Sequence, residues 1–317
     1  MGSLELFRRS GDDLIDRWDG HQLVRAVPGG DGTWIPFVAR AVPREAQRSA
    51  DKRASFTVRV EDAAQADVIK HIVERTFVAA PAKDYARLLR EDPILADLDA
   101  RFPGIRQIRQ LDVFTALVRC ISAQQVNLRW AVITRRRLAE AFGRRHTVDG
   151  QVVYALDPEQ IARVDPTDIR ALQFTTSKSV SIVATARAIV DHADLGQEQL
   201  SQLDDEAVIQ RLTKIRGIGR WSAEWVLART LGRARVVAGD LGVRKAVGLA
   251  YLSTPAPSEA EVRAATAHWG ESAGTAQAVL LHALGEGALP HPEVGRRSTE
   301  RVTSKPARTG SRAASRG

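Results

Sequence analysis

The spacing of apolar positions changes near residue 81 and divides the chain into unlike parts. Upstream the runs are short. Phe56-Thr-Val-Arg-Val60 alternates apolar and polar, the period of a half-buried strand. Gln22–Val27 and Trp34–Val42 read as two further strands around the turn Pro28–Thr33. Ala63–Phe77 places Val68, Ile69, Ile72 and Val73 on one helical face. Residues 1–80 are therefore expected to form a small α+β domain.

Downstream the period is helical. The pattern predicts helices over Asp84–Glu91, Asp92–Arg101, Asp112–Gln124, Asn127–Phe142, Pro158–Arg163 and Pro166–Leu172. It predicts six more over Ser177–Asp191, Asp205–Lys214, Arg220–Leu231, Val243–Tyr251, Ser258–His268 and Thr275–Leu284. Start signals agree: Asp157 and Asp165 each precede a proline, and Ser258 stands three residues before Glu261. Residues 81–290 thus read as an all-helical domain, and the chain as mainly α. Residues 291–317 are rich in Ser, Thr, Arg and Gly with few apolar side chains, which predicts a disordered basic tail.

Composition narrows the classes. A 317-residue chain that is 44% apolar can bury a sizeable core, which excludes a disordered acidic protein. No apolar run approaches the roughly 20 residues of a membrane helix, and the first residues lack a signal peptide's apolar stretch. Cys120 is the single cysteine, so one chain cannot build a disulfide framework, a cysteine-ligated zinc site or an iron–sulfur cluster. That fits a reducing, cytoplasmic setting, and Cys120 itself reads as a core thiol. His268 and His282 lack metal-ligand spacing. The net charge is +8, of which residues 291–317 carry +5. The balance suggests an anionic partner, nucleic acid included, but mostly through the tail.

The most informative segment is Leu212-Thr-Lys-Ile-Arg-Gly-Ile-Gly-Arg-Trp221. Gly217 and Gly219 lie two apart between helical runs, so the chain can turn tightly there with Ile218 plugged into the core. The following helix starts near Arg220 and presents unpaired amides to an anion such as a DNA phosphate. An ordinary helix–helix turn accounts for the same glycines. Asp240, between Gly239 and the helix from Val243, is either a helix cap or a carboxylate held for chemistry. Trp221 and Trp225 are four apart and share a face, as core or as the wall of a pocket.

The stretch Leu212–Val247, with Ile-Arg-Gly-Ile-Gly-Arg-Trp-Ser-Ala-Glu-Trp and then Val-Val-Ala-Gly-Asp-Leu-Gly-Val-Arg-Lys, resembles the helix–hairpin–helix DNA glycosylase superfamily. It is most similar to the bacterial 3-methyladenine DNA glycosylase II branch. Leu111-Asp-Val-Phe, Ile121-Ser-Ala-Gln-Gln-Val126 and Lys178 extend the likeness, which covers about 85–290 and, more loosely, the N-terminal α+β domain. The resemblance implies an enzyme that flips an alkylated purine out of double-stranded DNA and hydrolyses its N-glycosidic bond, initiating base excision repair. Asp240 is implied as the catalytic carboxylate. Trp221, Trp225 and Gln124 are implied as the base pocket and Gln125 as the wedge that fills the gap.

Arg216, Gly217, Gly219, Arg220, Ser222, Lys178 and Arg244 are implied at DNA phosphates. The backbone carbonyls of 215–219 are the implied place for a monovalent cation, Na or K. No organic cofactor is implied, and a monomeric, nucleoid-associated bacterial protein is. Bifunctional members carry a lysine two residues after the second hairpin glycine; Trp221 stands there, which implies a monofunctional enzyme leaving an abasic site. The chain departs from the branch at Leu241, Leu284 and Trp269–Thr275, where aromatic or Pro-aromatic-Arg features are expected. Two other readings stay open: a non-catalytic DNA-binding or lesion-sensing protein, and a glycosylase for deaminated or oxidised bases.

Overall fold

The computed structural model describes residues 2–5, 11–29, 32–42 and 55–289. The expected basic tail lies outside them. Four antiparallel strands, β1 (Asp16–Trp18), β2 (Gln22–Pro28), β3 (Trp34–Ala41) and β4 (Phe56–Val60), form a sheet in that order. Helix α1 (Ala66–Glu74) packs Ile69 into a core with Leu23, Val27, Ile35 and Phe37. Val24, Ala26 and Val38 point to the opposite face, as the two-residue period requires.

What covers that opposite face corrects the all-helical expectation. Residues Arg144–Val148 (β7) and Gln151–Ala155 (β8) form a hairpin, and Val148, Val153 and Ala155 pack on the outer face of the sheet. Its turn is Asp149-Gly150, both at positive φ (50° and 72°), which matches the right-handed twist of paired strands. Arg40 and Arg59 reach across to the Asp149 carboxylate. The short pair β5 (Phe77–Val78) and β6 (Gln107–Ile108) brackets α2 (Ala82–Glu91) and α3 (Pro93–Arg101).

The helical part continues through α4 (Val113–Ala123), α5 (Leu128–Phe142), α6 (Pro158–Ile161), α7 (Pro166–Ala171), α8 (Thr176–Asp191) and α9 (Gln197–Ser201). It ends with α10 (Asp205–Leu212), α11 (Arg220–Val226), α12 (Leu241–Val247), α13 (Glu259–Thr266) and α14 (Ala273–Gly285). Asp112, Asp157 and Asp165 each accept a backbone amide at a helix start, and Ser258 with Glu261 closes a reciprocal capping box. Two expected helices change pitch. α11 runs into a π-helical turn at Leu227–Leu231, and α12 into another at Gly248–Leu252.

A buried charge cluster joins the N-terminal segment to the helices. Arg119 on α4 bridges Asp13 (2.9 Å) and Asp16 (2.7 Å), and Arg135 on α5 donates to Asp13 at 3.0 Å. Burial alone would raise the Asp13 pKa, but Arg119 and Arg135 outweigh it and hold it at about 2. The two parts of the chain are therefore fixed against each other around α4.

Candidate active site and nucleic-acid interface

The hairpin between α10 and α11 is built as its sequence implies. Ile215 and Ile218 are buried in the main helical core, and the Ile218 amide donates to the Ile215 carbonyl at 3.1 Å. Gly217 has φ +83°, and a Cβ there would stand 2.1 Å from Ser181 Oγ on α8. Gly219 differs: a Cβ there meets nothing within 4 Å, so the protein leaves the space before α11 open. Gly219 takes the N-cap position without a side-chain cap. Among the described residues, the amides of Arg220, Trp221 and Ser222 have no acceptor, and Lys214 and Arg216 are exposed beside them without a partner. That is an electropositive, hydrogen-bond-donating surface.

Not every basic or polar residue implied at this surface is available to it. The Arg220 guanidinium donates to Glu206 (2.7 and 3.2 Å) and to Glu224 (3.2 Å), so its charge is matched within the protein. Ser222 is only 1% exposed, which removes its hydroxyl from phosphate contact. Lys178 Nζ donates to the Ser122 carbonyl at the end of α4 (2.9 Å), and burial lowers its pKa. Arg244 Nε donates to the Pro257 carbonyl at 2.7 Å. The last two keep further donors but are anchored.

Gln124 and Gln125 occupy the turn from α4 to α5. Gln124 Nε2 donates to the Gly217 carbonyl at 3.2 Å, tying this turn to the hairpin. Gln125 is exposed and sits at φ +55°, in the left-handed region that costs a non-glycine residue about 1 kcal/mol. Asn127 then caps α5 through the Trp130 amide. The strained, projecting side chain is Gln125, and beside it Leu128 is 63% exposed. In the sequence Leu128 carries no distinct signal, because it falls in the first turn of an amphipathic helix.

Asp240 is both cap and candidate. Its Oδ1 accepts from the amides of Gly242 (2.9 Å) and Val243 (3.0 Å), which locks the side chain at the start of α12. Among the described residues its Oδ2 accepts no hydrogen bond and no ion pair forms. The Trp221 ring lies next to Gly239: a Cβ there would be in ordinary contact with Trp221 Cδ1 at 3.6 Å. Trp221 is half-buried, and its enclosed Nε1 has no acceptor among the described residues. Leu241, next to the carboxylate, is 77% exposed.

Trp225 does not offer an open ring face. The Arg229 guanidinium stands 5.1 Å from its ring centroid, one helical turn on and inside the π-helical turn. Burial lowers the Arg229 pKa, while the charge of Asp240 acts the other way. Its Nε is enclosed without an acceptor, and no carboxylate pairs with it among the described residues. Spacing carried the signal: Trp221, Trp225 and Arg229 are each four apart and share a face. Also on α11, Glu224 is 1% exposed and gathers Arg220, Arg235 and Arg263, fixing the hairpin helix to α13 and to the loop before Asp240.

The HhH-GPD superfamily of base excision DNA repair proteins matches residues 118–272, which include Gln124, Gln125, the hairpin and Asp240. A Bacillus subtilis DNA-3-methyladenine glycosylase is 32% identical over 173 residues, 54% of this chain and 57% of that protein. The chain thus spans little more than half of that relative's length. A 3-methyladenine DNA glycosylase from Archaeoglobus fulgidus has a similar fold, with TM-score 0.72 and 23% identity over 88% of this chain and 92% of that one. So does an 8-oxoguanine glycosylase/lyase from Clostridium acetobutylicum bound to double-stranded DNA, with TM-score 0.64 and 17% identity over 87% of this chain and 99% of that one.

Proposed function

With residues 118–272 forming an HhH-GPD superfamily base excision DNA repair domain, we propose that this protein is a monofunctional DNA glycosylase for alkylated purines in duplex DNA. The carrying observation is Asp240: two amides hold one carboxylate oxygen and leave the other unbonded, and the Trp221 ring lies against the preceding Gly239. Breaking an N-glycosidic bond builds positive charge on the sugar, and a fixed carboxylate lowers that charge's energy without reorganising. Methylation at N3 or N7 of a purine makes the leaving base depart neutral, so a second acid is not required.

The remaining parts fit one binding mode. The open amides after Gly219, with Lys214 and Arg216, take a backbone phosphate. A monovalent cation has room on the second lone pairs of the Ile215 and Gly217 carbonyls, whose first pairs serve Ile218 and Gln124. Gln125 enters the duplex where the base leaves, and its amide hydrogen-bonds the orphaned partner base. Unstacking costs a few kcal/mol, least for a damaged pair. Trp221 at the position of the lyase lysine gives no amine for a Schiff base, so the product is an abasic site in an intact strand. The enzyme acts as a monomer without organic cofactor.

A second reading has its own observation. Arg229 already fills the ring face of Trp225, and a cation there disfavours a positively charged base. A neutral deaminated or oxidised base suits such a pocket, and the same fold serves an 8-oxoguanine enzyme elsewhere. The test is product analysis with duplexes carrying 7-methylguanine, hypoxanthine or 8-oxoguanine. We expect free 7-methylguanine by mass spectrometry and a strand that breaks only after alkali. Release of hypoxanthine or 8-oxoguanine alone selects the second reading, and strand breakage before alkali contradicts the monofunctional one.

A further inference from the structure

A cavity of about 250 Å³ lies where the N-terminal sheet meets the helical part, and shares no residue with the hairpin, Gln125 or Asp240. Arg25 of β2, His71 of α1, Arg75, Arg109, Gln110 and Gln197 are among the residues that line it, and no Asp or Glu does. His71 and Arg75 are exposed, so the cavity opens to solvent.

Its charges are poorly balanced. Arg109 Nε donates to the Arg75 carbonyl (3.2 Å) and Nη1 to the Thr230 carbonyl (2.6 Å), and no carboxylate pairs with it among the described residues. Burial and, next, the charge of Arg75 both lower its pKa. Among the described residues the Arg75 side chain has only the His71 ring nitrogen, at 3.4 Å. Arg25 is held by Asp16 and by the Arg109 carbonyl, and Asp16 is shared with Arg119. Gln110 supplies an independent sign. It is 5% exposed, yet its Oε1 is enclosed with no hydrogen-bond partner among the described residues, and its side chain makes no other bond. A half-turn of the amide presents its NH₂ instead.

Like charges crowded around one solvent-open cavity, with an unsatisfied amide on its wall, are stabilised by an anion rich in acceptors. We propose that this cavity is a phosphate-binding site, formed by Arg75, Arg109 and Gln110 with His71 at the rim. The space is below the roughly 300 Å³ at which pockets for drug-sized ligands begin, so the occupant is a compact phosphate group. It comes either from a free phosphate or pyrophosphate or from the backbone of bound DNA.

The experiment uses the full chain, with pyrophosphate titrated at constant ionic strength and read by calorimetry and thermal unfolding. Duplex affinity is measured over a salt series in parallel. Arg75→Gln is the main variant, because its side chain is exposed and supports no core. Arg216→Gln, at the hairpin, is the control for the other DNA surface. A free-phosphate site predicts saturable binding, a rise in Tm of about 2 °C at ten times Kd, and at least about fivefold weaker pyrophosphate binding in Arg75→Gln but not Arg216→Gln. A backbone-phosphate site predicts no pyrophosphate binding and a duplex salt slope reduced by about 1 in Arg75→Gln. If Arg75→Gln matches wild type in both arms, the site does not exist.

Discussion

The two hairpin glycines, two residues apart, should respond oppositely to the same added methyl group. At Gly217 an alanine Cβ would lie 2.1 Å from Ser181 Oγ and 2.7 Å from Ser181 Cβ. The serine hydroxyl can rotate away, but its Cβ cannot, so α8 and the hairpin must part by several tenths of an ångström. The φ of +83° adds the left-handed penalty of roughly 1–2 kcal/mol. Together we expect a loss of about 3 kcal/mol, or a fall in Tm of about 4–5 °C. At Gly219 the methyl meets nothing within 4 Å and φ is −99°, so stability should hold or rise by about 0.5 kcal/mol. Its methyl does enter the space in front of the free amides, and duplex binding should fall by about tenfold or more. Thermal unfolding and fluorescence anisotropy with a short duplex separate the effects. Ser181→Gly in the Gly217→Ala background should recover about 1 kcal/mol, although glycine in a helix normally costs up to that much. Equal loss of stability at both glycines, or no rescue at Ser181, would refute the close-approach argument. Unchanged duplex affinity in Gly219→Ala would refute the phosphate surface.

Asp13 should set the acid limb of stability. Its folded pKa of about 2 lies below the usual 3.8, so its contribution is complete above pH 4 and disappears as pH falls toward 2. Urea unfolding should lose on the order of 2 kcal/mol across that window, and Asp13→Asn should flatten the slope; an equal slope in the variant contradicts the buried cluster's role. Arg229→Met removes the cation on Trp225 while keeping an apolar stem. Single-turnover release of 7-methylguanine relative to hypoxanthine should rise by about tenfold, the scale of a partly screened charge repulsion. An unchanged ratio means that Arg229 does not face the bound base.

Local chemistry was legible in the sequence wherever a residue acts on its own neighbours. Asp157, Asp165 and Ser258 cap the helices that their spacing predicted. Gly217-Ile218-Gly219 forms the turn, and Ile218 enters the core. The β7–β8 hairpin is not legible although Asp149-Gly150 is a strong turn signal, because Val148, Val153 and Ala155 have meaning only against the sheet of residues 16–60. The π-helical turns were not legible, since a one-residue change in pitch leaves the apolar pattern almost intact. The candidate site divides in the same way. Asp240, Trp221 and Gln125 sit where a local reading puts them. The pairing of Arg220 with Glu206 and the burial of Ser222 follow from packing between separate elements, whereas Arg220 with Glu224 and Arg229 over Trp225 follow a local four-residue spacing.

The central claim is that Asp240 acts on the reacting sugar as well as capping α12. Its most direct test is single-turnover base release from a 7-methylguanine duplex by wild type and Asp240→Asn, at enzyme concentrations that saturate the duplex. Asparagine keeps an oxygen for the Gly242 and Val243 amides, so the variant should fold and bind DNA like wild type. The account predicts a rate at least about 10²-fold lower, with unchanged Tm and duplex affinity. Release within about threefold of wild type would contradict it and leave Asp240 a helix cap alone.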